Sequence, residues 1–314
     1  MRVLILAPRL DVPFKNLGPV TTVRGPIPSI RVHWANFVTR IKTEHTYRGD
    51  DVDVLELPLW QFTPELVESY QPKPDLVYVP HKEKRNFDIT GIDALYYMQT
   101  VFPWRFYVDS LGFAGGSSMY PFDITDGNSM GSAFDELREY ALAGGTKFDQ
   151  PPIGQVQINC EYVLFPCQLP HDETIKYHSA ISSEQALEET CRVTEKLGIP
   201  LVVKAHPINP ASMESQRNIT TKYKHAQWVE NVSIHDLIPR ARTVVVVNSG
   251  TGMESLLRAR PVVTFGRCEY DCVTMKADLS GNLEQYLSNP TFNLIGVKKF
   301  FDKWFKLTYD TTLT

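Results

Sequence analysis

Short apolar runs alternate with helical patterns along the first half of the chain. Apolar runs typical of buried strands fall at 2–7, 52–57, 75–80 and 105–109. Between the first two runs, apolar side chains recur at three- and four-residue spacing: Trp34, Phe37, Val38 and Ile41. This spacing predicts an amphipathic helix over 32–43. Strands that alternate with helices indicate a mostly parallel sheet covered by helices.

The second half of the chain repeats the alternation. Further apolar runs fall at 162–165, 201–205, 244–247 and 262–266. Ser182 and Gln185 form a capping box, which predicts a helix that begins there and continues to about Leu197. Gly198 then ends the helix, because glycine adopts the left-handed conformation common after a last helical turn.

Two successive series of this kind predict an α/β protein with two doubly wound, Rossmann-type domains that face a central cleft. The segment 144–157 is polar and rich in Gly and Pro, which is typical of a linker. We therefore expect an amino-terminal domain at 1–150 and a carboxy-terminal domain at 151–290. An amphipathic helix around 298–305 indicates that residues 291–314 pack back on the first domain, with a membrane-surface helix as the alternative.

Charge and cysteine content exclude several classes of protein. The formal net charge of −4 disfavours a general nucleic-acid binder, which usually has a basic surplus. The five cysteines include no CxxC pair and indicate free thiols in a reducing cytoplasm. No apolar run approaches the roughly 20 residues of a membrane span, and the first residues do not resemble a signal peptide. We expect a cytoplasmic protein, with the inner face of the membrane as an alternative place of action.

A turn of small polar residues follows the run Val244–Val247 and opens a predicted helix. It contains Asn248, Ser249, Gly250, Thr251 and Gly252. Backbone N–H groups at a helix start can bind a phosphate or a sugar hydroxyl. Glu254 lies in the first turn of this helix, where a carboxylate can bind a ribose or another sugar. A glycine-rich turn without any ligand is the structural alternative.

A histidine follows the run 201–205 at another predicted strand end. Pro207 favours an extended backbone at His206 and holds its imidazole at the carboxyl edge of the sheet, where ligands bind. Together with Lys204, this histidine suits the phosphate of a departing nucleotide, because a cation or a proton donor stabilises the developing negative charge. A purely structural His-Pro pair is the alternative.

Two carboxylates of the first domain are candidates for the chemistry. Asp109 ends the run 105–109 and could act as a general base on an acceptor hydroxyl, or as the nucleophile of a double displacement. Its structural alternative is a residue that caps a turn. Asp126, in a second turn-like segment, is the other candidate. At the start of the second domain, Gln168 and Asp172 could bind base, ribose or sugar.

In order and spacing, five segments resemble the capsule-polysaccharide synthesis family of bacterial β-Kdo glycosyltransferases. The segments are 106–112 continued by 124–128, 162–168 with Asp172, 203–207, 233–238, and 247–256 followed by 261–266. Together they cover roughly residues 100–270, and their order is more specific than any one segment.

This resemblance implies a GT-B fold and a CMP-activated 3-deoxy-octulosonate (Kdo) donor, with a glycan acceptor and neither a metal nor another cofactor. It implies that Asp109 is the catalytic carboxylate and that His206 serves the CMP phosphate. It implies that the turn Ser249–Gly252 holds CMP, with Glu254 near the ribose. Together with the residues proposed above, the expected donor-binding residues are Lys204, Gln168, Asn248, Ser249, Gly250, Thr251, Gly252 and Glu254. Here Ser110 and Leu111 separate Asp109 from Gly112, a departure that leaves the catalytic carboxylate open between Asp109 and Asp126.

Two further functions fit the same pattern. One is a transferase or epimerase that uses a UDP-sugar on the same scaffold. The other is a carbohydrate-binding or assembly partner that has the fold and lacks the chemistry, because a fold alone does not determine function. The nucleotide that binds, and whether donor is consumed, distinguishes these alternatives.

Overall fold

The computed structural model of this 314-residue chain describes residues 1–9, 20–22, 25–27, 30–125, 130–148, 150, 160–169, 172–207 and 210–312. The chain divides into two compact units. The first comprises Met1–Pro19, Pro26–Tyr120 and Lys306–Thr314, and the second comprises Val20–Gly25 and Pro121–Phe305. Each unit contains a six-stranded sheet.

The elements are numbered in chain order. The strands are β1 (Arg2–Pro8), β2 (Val20–Thr22), β3 (Gly25–Ile27), β4 (Asp51–Leu57), β5 (Leu76–Pro80), β6 (Asp93–Gln99), β7 (Arg105–Asp109), β8 (Tyr162–Pro166), β9 (Leu201–Lys204), β10 (Ala226–Val229), β11 (Ala241–Val246), β12 (Val262–Thr264), β13 (Met275–Lys276) and β14 (Tyr309–Asp310). The helices are α1 (Ile30–Tyr47), α2 (Pro64–Glu68), α3 (Ser132–Leu142), α4 (Glu173–His178), α5 (Ser183–Leu197), α6 (Glu214–Thr220), α7 (Ile234–Leu237), α8 (Thr251–Leu257), α9 (Leu283–Ser288) and α10 (Leu294–Leu307).

The sheet of the first unit has the strand order β14-β7-β6-β5-β1-β4. The strands β4, β1, β5 and β6 are parallel, whereas β7 runs antiparallel to β6 and β14 antiparallel to β7. The four strands predicted in this half are confirmed. The sequence analysis missed β6, whose residues are tyrosine-rich and only partly apolar, although Tyr96 and Tyr97 are buried.

Helix α1 packs its predicted apolar face against the sheet of the first unit. The ring of Phe37 stacks on Tyr97 and Phe106, with centroid distances of 4.7 and 4.5 Å. Trp34 meets Phe106 edge to face at 5.1 Å. Aromatic pairs of this kind stabilise a core beyond the area they bury. The predicted helix is confirmed and is longer than 32–43 at both ends.

The sheet of the second unit is parallel throughout, in the order β10-β9-β8-β11-β12-β13. The chain proceeds from β8 outward to β10, then returns to β11 on the other side of β8 and continues outward to β13. The order therefore reverses between β8 and β11, where doubly wound sheets bind ligands. Helix α5 has the predicted capping box of Ser182 and Gln185, and Gly198 ends it at φ 67°.

The boundary between the units differs from the predicted one. It falls between Tyr120 and Pro121, because α3 packs with the second unit rather than the first. Phe134 of α3 contacts Phe301 of α10, with ring centroids 6.0 Å apart. The described part of the predicted linker, residues 144–148 and 150, also belongs to the second unit. Residues 151–159 lie outside the described part of the chain.

The chain returns to the first unit near its end. Helix α10 buries Phe300, Phe301 and Trp304 within the protein, and Phe300 meets Phe122 of the second unit edge to face at 5.1 Å. The return to the first unit therefore begins at Lys306 rather than at 291, and β14 then pairs with β7. Among the helices described, none has both the length and the apolar character needed to cross a membrane.

Candidate functional site

Three neighbouring strands of the second unit place candidate residues at one edge of its sheet. Gln168 follows β8, His206 follows β9 and Asn248 follows β11. These strands are adjacent and parallel, so their carboxyl ends meet at the same edge. The reversal of strand order between β8 and β11 lies within this group. The candidate residues of the carboxy-terminal half therefore surround the position where such sheets bind ligands.

Gln168 and Asn248 join the two loops at this reversal. The backbone N–H of Asn248 donates to Gln168 Oε1 at 3.1 Å, and Gln168 Nε2 donates to Asn248 Oδ1 at 3.0 Å. Asn248 Nδ2 also donates to the carbonyl oxygen of Thr174 at 2.8 Å. Both side chains are buried. The two amides hold the loops after β8 and β11 together at this edge, because their hydrogen-bonding groups are turned toward each other.

Asp172 caps α4 beside this amide pair. Its Oδ1 accepts hydrogen bonds from the backbone N–H of Thr174 at 2.9 Å and from Thr174 Oγ1 at 2.7 Å. Thr174 Oγ1 also lies 3.1 Å from Asn248 Oδ1. The negative charge of Asp172 acts on both His206 and Lys147, so this cap places a carboxylate within the group of candidate residues.

His206 is half-buried and covered by an aromatic ring. Its imidazole meets Phe148 at a centroid distance of 5.4 Å and an interplanar angle of 65°. Burial lowers the pKa of His206 to about 4, and the charge of Lys204 acts in the same direction, while the Asp172 carboxylate opposes them. The imidazole is thus uncharged at neutral pH in this environment. An anion bound against it would raise that pKa and favour proton uptake.

Lys204 is the last residue of β9 and is only 2% exposed. Its Nζ donates to the carbonyl oxygen of Ala205 at 2.6 Å. Burial lowers the pKa of Lys204 to about 8, and the nearby Cys167 and Glu230 side chains oppose that shift. Most of the ammonium population is therefore charged at pH 7, but the ammonium is directed to the backbone of its own strand end.

The turn of small residues before α8 is bonded mainly to itself. The N–H of Thr251 donates to Ser249 Oγ at 3.2 Å, and the N–H of Gly252 donates to the Ser249 carbonyl at 2.9 Å. The hydroxyl of Tyr270 donates to the same carbonyl. Gly250 precedes the helix at φ −54°. These hydrogen bonds use two of the N–H groups that the sequence analysis assigned to a ligand.

Gly252 has a packing role that sequence analysis did not anticipate. A Cβ atom at this position would lie 2.7 Å from both Cε2 and Cζ of the buried Tyr270 ring. The absence of a side chain thus allows Tyr270 to reach the carbonyl of Ser249. The proposed contacts of Ser249, Gly250, Thr251 and Gly252 with a nucleotide stay a prediction.

Glu254 lies on the buried side of α8 and is 4% exposed. Burial raises the pKa of its carboxyl group, while a hydrogen bond with Thr146 and the charge of Arg258 lower it. Its Oε1 is buried without a hydrogen-bond partner in the described part of the chain. A buried, half-satisfied carboxylate is costly, which makes Glu254 a candidate for a contact that a ligand completes.

Asp109 binds its own loop. Its Oδ1 accepts hydrogen bonds from the backbone N–H groups of Leu111 at 2.7 Å, Ser118 at 3.0 Å and Gly112 at 3.3 Å. The hydroxyl of Ser118 donates to Oδ2, and the residue is 7% exposed. This is the turn-capping alternative of the sequence analysis. Asp109 therefore has a structural role that fully explains a carboxylate at this position.

The direction of β7 also changes the argument for Asp109. Because β7 is antiparallel to β6, its carboxyl end points away from the edge reached by the carboxyl ends of β1, β5 and β6. The general rule that ligands bind at carboxyl strand ends thus does not apply to Asp109. Asp126, the other candidate carboxylate, lies outside the described residues. The catalytic roles of both stay predictions.

Sequence reasoning missed three consecutive residues that interact with the site. Thr146 hydrogen-bonds to the carboxyl of Glu254, Lys147 interacts electrostatically with Asp172, and Phe148 covers His206. They lie in the polar segment that was predicted to be a linker. No local signal marks them as site residues, because their partners are distant in the sequence.

Three histidines with pKa values lowered by burial make stability depend on pH. Burial lowers the pKa of His33, His206 and His235 to about 4. Between about pH 6.5 and 4 the unfolded chain binds more protons at these sites, so the free energy of unfolding falls as the pH falls through this range. We expect a loss of about 1–3 kcal/mol per histidine. The raised pKa of Glu254 acts in the opposite direction.

Urea unfolding at pH 7 and pH 5 measures this effect. The variant His33→Gln should lose less stability than the wild type between these two pH values, because residue 33 no longer takes up a proton on unfolding. An equal acid loss in both proteins would contradict the prediction for His33.

Within the described residues, no group of three or more His, Cys, Asp or Glu side chains is arranged to hold a metal ion. The expectation that the reaction uses no metal stays a prediction.

Comparison with known proteins finds a matching family model and solved structures with a similar fold. Residues 139–293 match the model of the family described as capsule polysaccharide biosynthesis protein. No curated protein matches the sequence. The fold is similar to that of a solved structure described as Thermosulfurimonas dismutans KpsC, beta Kdo 2,7 transferase, with a TM-score of 0.55 and 16% identity over 96% of this chain and 90% of that chain.

A second structure, described as the beta Kdo 2,4 transferase of the same KpsC, has a TM-score of 0.52 and 15% identity over 84% of this chain and 87% of that chain. At these identities the likeness concerns the fold. It confirms the predicted α/β architecture with two Rossmann-like units of GT-B type. The family match covers α8, the residues that follow β8, β9 and β11, and the segment 146–148.

Proposed function

We propose that the chain is a glycosyltransferase of the capsule polysaccharide biosynthesis family, whose model matches residues 139–293. We propose that it transfers a Kdo-type sugar from a CMP-activated donor to a polysaccharide or glycolipid acceptor. The family match and the likeness to two structures described as β-Kdo transferases support this choice.

The observation that carries the proposal is the cluster at the strand-order reversal of the second unit. His206, the Gln168–Asn248 pair and the cap residue Asp172 lie on loops that follow adjacent parallel strands. Nucleotides bind at such positions because the loops separate there and leave a crevice. Glu254 lies on the helix after β11, and its Oε1 has no hydrogen-bond partner among the described residues; we assign this residue to the ribose hydroxyls.

The chemistry proposed for His206 is stabilisation of the leaving group. When the bond between the sugar and the phosphate oxygen breaks, negative charge develops on the phosphate of CMP. The uncharged imidazole can donate an N–H hydrogen bond to this phosphate, and the growing charge raises its pKa. Two forms of the attack on the sugar stay predictions. In one, Asp109 or Asp126 activates the acceptor, and in the other, one of these carboxylates attacks the sugar as nucleophile.

A thermal-shift experiment with CMP, UDP, GDP and NAD at matched concentrations tests the donor class. Of the four, we expect CMP alone to bind and therefore to raise the melting temperature. A ligand at about 100 times its dissociation constant stabilises a protein by about 2.7 kcal/mol. The shift should be lost in His206→Ala. A shift with UDP or GDP would indicate that the donor sugar is activated by that nucleotide and not by CMP. No shift with any nucleotide would favour the non-catalytic alternative.

A further inference from the structure

The three residues Thr146–Phe148, called the strap below, interact with three separate parts of the candidate site. Thr146 hydrogen-bonds to Glu254 on α8. Phe148 packs edge to face on His206, which follows β9. Between them, Lys147 lies within electrostatic range of Asp172, which follows β8. Consecutive residues thus interact with the helix after β11 and the loop after β9, and the charge of Lys147 with that of Asp172 after β8.

The strap is held in place by the second unit. The hydroxyl of Tyr140 donates to the carbonyl of Thr146 at 3.2 Å. On the other side, Gln150 accepts a hydrogen bond from the backbone N–H of Ile234 at 3.1 Å and donates to the Phe148 carbonyl at 3.3 Å. Thr146 itself is buried. These contacts position Lys147 as part of the site rather than as a side chain of a loose linker.

A bound nucleotide phosphate would require positive charge at this site. Asp172 and Glu254 contribute carboxyl groups, and His206 is uncharged at neutral pH. The ammonium of Lys204 is buried and donates to the carbonyl of Ala205. The hydrogen bonds within the turn before α8 already use the N–H groups of Thr251 and Gly252. Burial lowers the pKa of Lys147 to about 8, while the Asp172 carboxylate opposes that shift, so most of its ammonium is charged at pH 7 and the strap holds a positive charge among these groups.

We propose that Lys147 binds the phosphate of the donor nucleotide, an inference that rests on the proposed function and adds a residue to its site. A lysine ammonium is a compact point charge with several donors, which suits a phosphate whose oxygens are shared with His206. The stem of Lys147 lies beside Phe148, with its Nζ 5.6 Å from the ring centroid. In the absence of phosphate, the Asp172 carboxylate interacts with this charge.

Isothermal titration of CMP and of cytidine separates a phosphate contact from other effects. For Lys147→Met, which keeps an unbranched apolar stem, we expect CMP to bind roughly ten- to hundredfold more weakly, since a charged hydrogen bond to the phosphate is lost. Cytidine, which has no phosphate, should bind equally to the variant and the wild type. Lys147→Arg keeps the charge and should recover part of the CMP affinity. CMP also lacks the Kdo-type sugar that is transferred. Its affinity is therefore independent of any contact with the carboxylate of that sugar.

Lys176→Met is the matched control. Lys176 is an exposed lysine of α4 in the same unit, and its Nζ lies over Tyr177, 5.3 Å from the ring centroid. Its removal changes the net charge by the same amount, and CMP affinity should stay at the wild-type value. An equal loss in both lysine variants would overturn the proposal in favour of a general charge effect.

Three other outcomes are equally clear. If Lys147→Met binds CMP as the wild type does, Lys147 does not bind phosphate, while the proposed function stands. If the variant loses cytidine and CMP affinity alike, Lys147 acts by holding the strap, and the phosphate contact is excluded. If the wild type binds no CMP at all, the proposed function fails, and with it the inference. Thermal unfolding of each variant confirms that the fold is retained.

Discussion

Replacing His206 by alanine is expected to lower kcat of sugar transfer by about 10²–10⁴-fold, the usual contribution of a well-placed proton donor. His206 lies at the carboxyl end of β9 and is neutral at neutral pH because it is buried under Phe148. Without its imidazole, no side chain at this position can share the charge that develops on the departing phosphate. Initial rates with a CMP-activated donor and a glycan acceptor measure the effect.

His225→Ala is the control for this variant. His225 is exposed and directly precedes β10, at the amino-terminal edge of the same sheet, where its carbonyl accepts a hydrogen bond from Leu201. Its removal should leave the transfer rate unchanged, because ligands bind at the opposite edge. Wild-type rates in His206→Ala would contradict the proposed role, and so would equal losses in the two histidine variants.

Replacing Arg105 by methionine is expected to lower the free energy of unfolding by about 3–5 kcal/mol, because it leaves a largely buried carboxylate unpaired. Arg105 is 2% exposed and its Nη1 lies 2.8 Å from Asp310 Oδ2. Its Nε donates to Thr308 Oγ1 at 2.7 Å, and its Nη2 donates to the Thr308 carbonyl at 2.9 Å. One guanidinium therefore fastens β14 to β7. Urea unfolding, followed by a probe in the first unit, measures the loss.

Arg192→Met provides the comparison for Arg105. Arg192 forms an ion pair with Glu189 one turn away on α5, but its side chain is 54% exposed. A pair with an exposed guanidinium contributes between about 0 and 1 kcal/mol, since water solvates that cation in the unfolded and the folded chain alike. The double variant Arg105→Met, Asp310→Leu should recover part of the loss by removing the unpaired charge. Equal losses in the two single arginine variants would contradict the argument from burial.

The sequence by itself determined the elements whose signals are local. The run Val244–Val247 predicted a buried parallel strand, because β-branched residues without polar alternation suit a strand covered on both faces. The Ser182–Gln185 box and Gly198 marked both ends of α5 through hydrogen bonds and backbone angles within a few residues. His206 was placed at a sheet edge by its position after a strand, and the structure agrees.

Strand direction was decided only by the tertiary structure. Nothing within residues 105–109 specifies whether β7 pairs parallel or antiparallel, since both arrangements suit the same apolar run. The antiparallel pairing with β6 turns the end of β7 away from the ligand edge and gives Asp109 its loop-capping contacts. The candidate catalytic carboxylate of the sequence analysis thereby gained a structural explanation that spacing alone could not test.

Contacts between distant residues were also decided only by the fold. Phe148 covers His206 from 58 positions away, and the ring of Tyr270 packs against Gly252. In the sequence, the first segment is indistinguishable from a linker and the second from a ligand-binding turn. Local propensity depends on neighbours along the chain, whereas burial, charge balance and pKa depend on neighbours in space. The sequence therefore determined which strand ends carry the candidate residues, and the packing decided which side chains meet there.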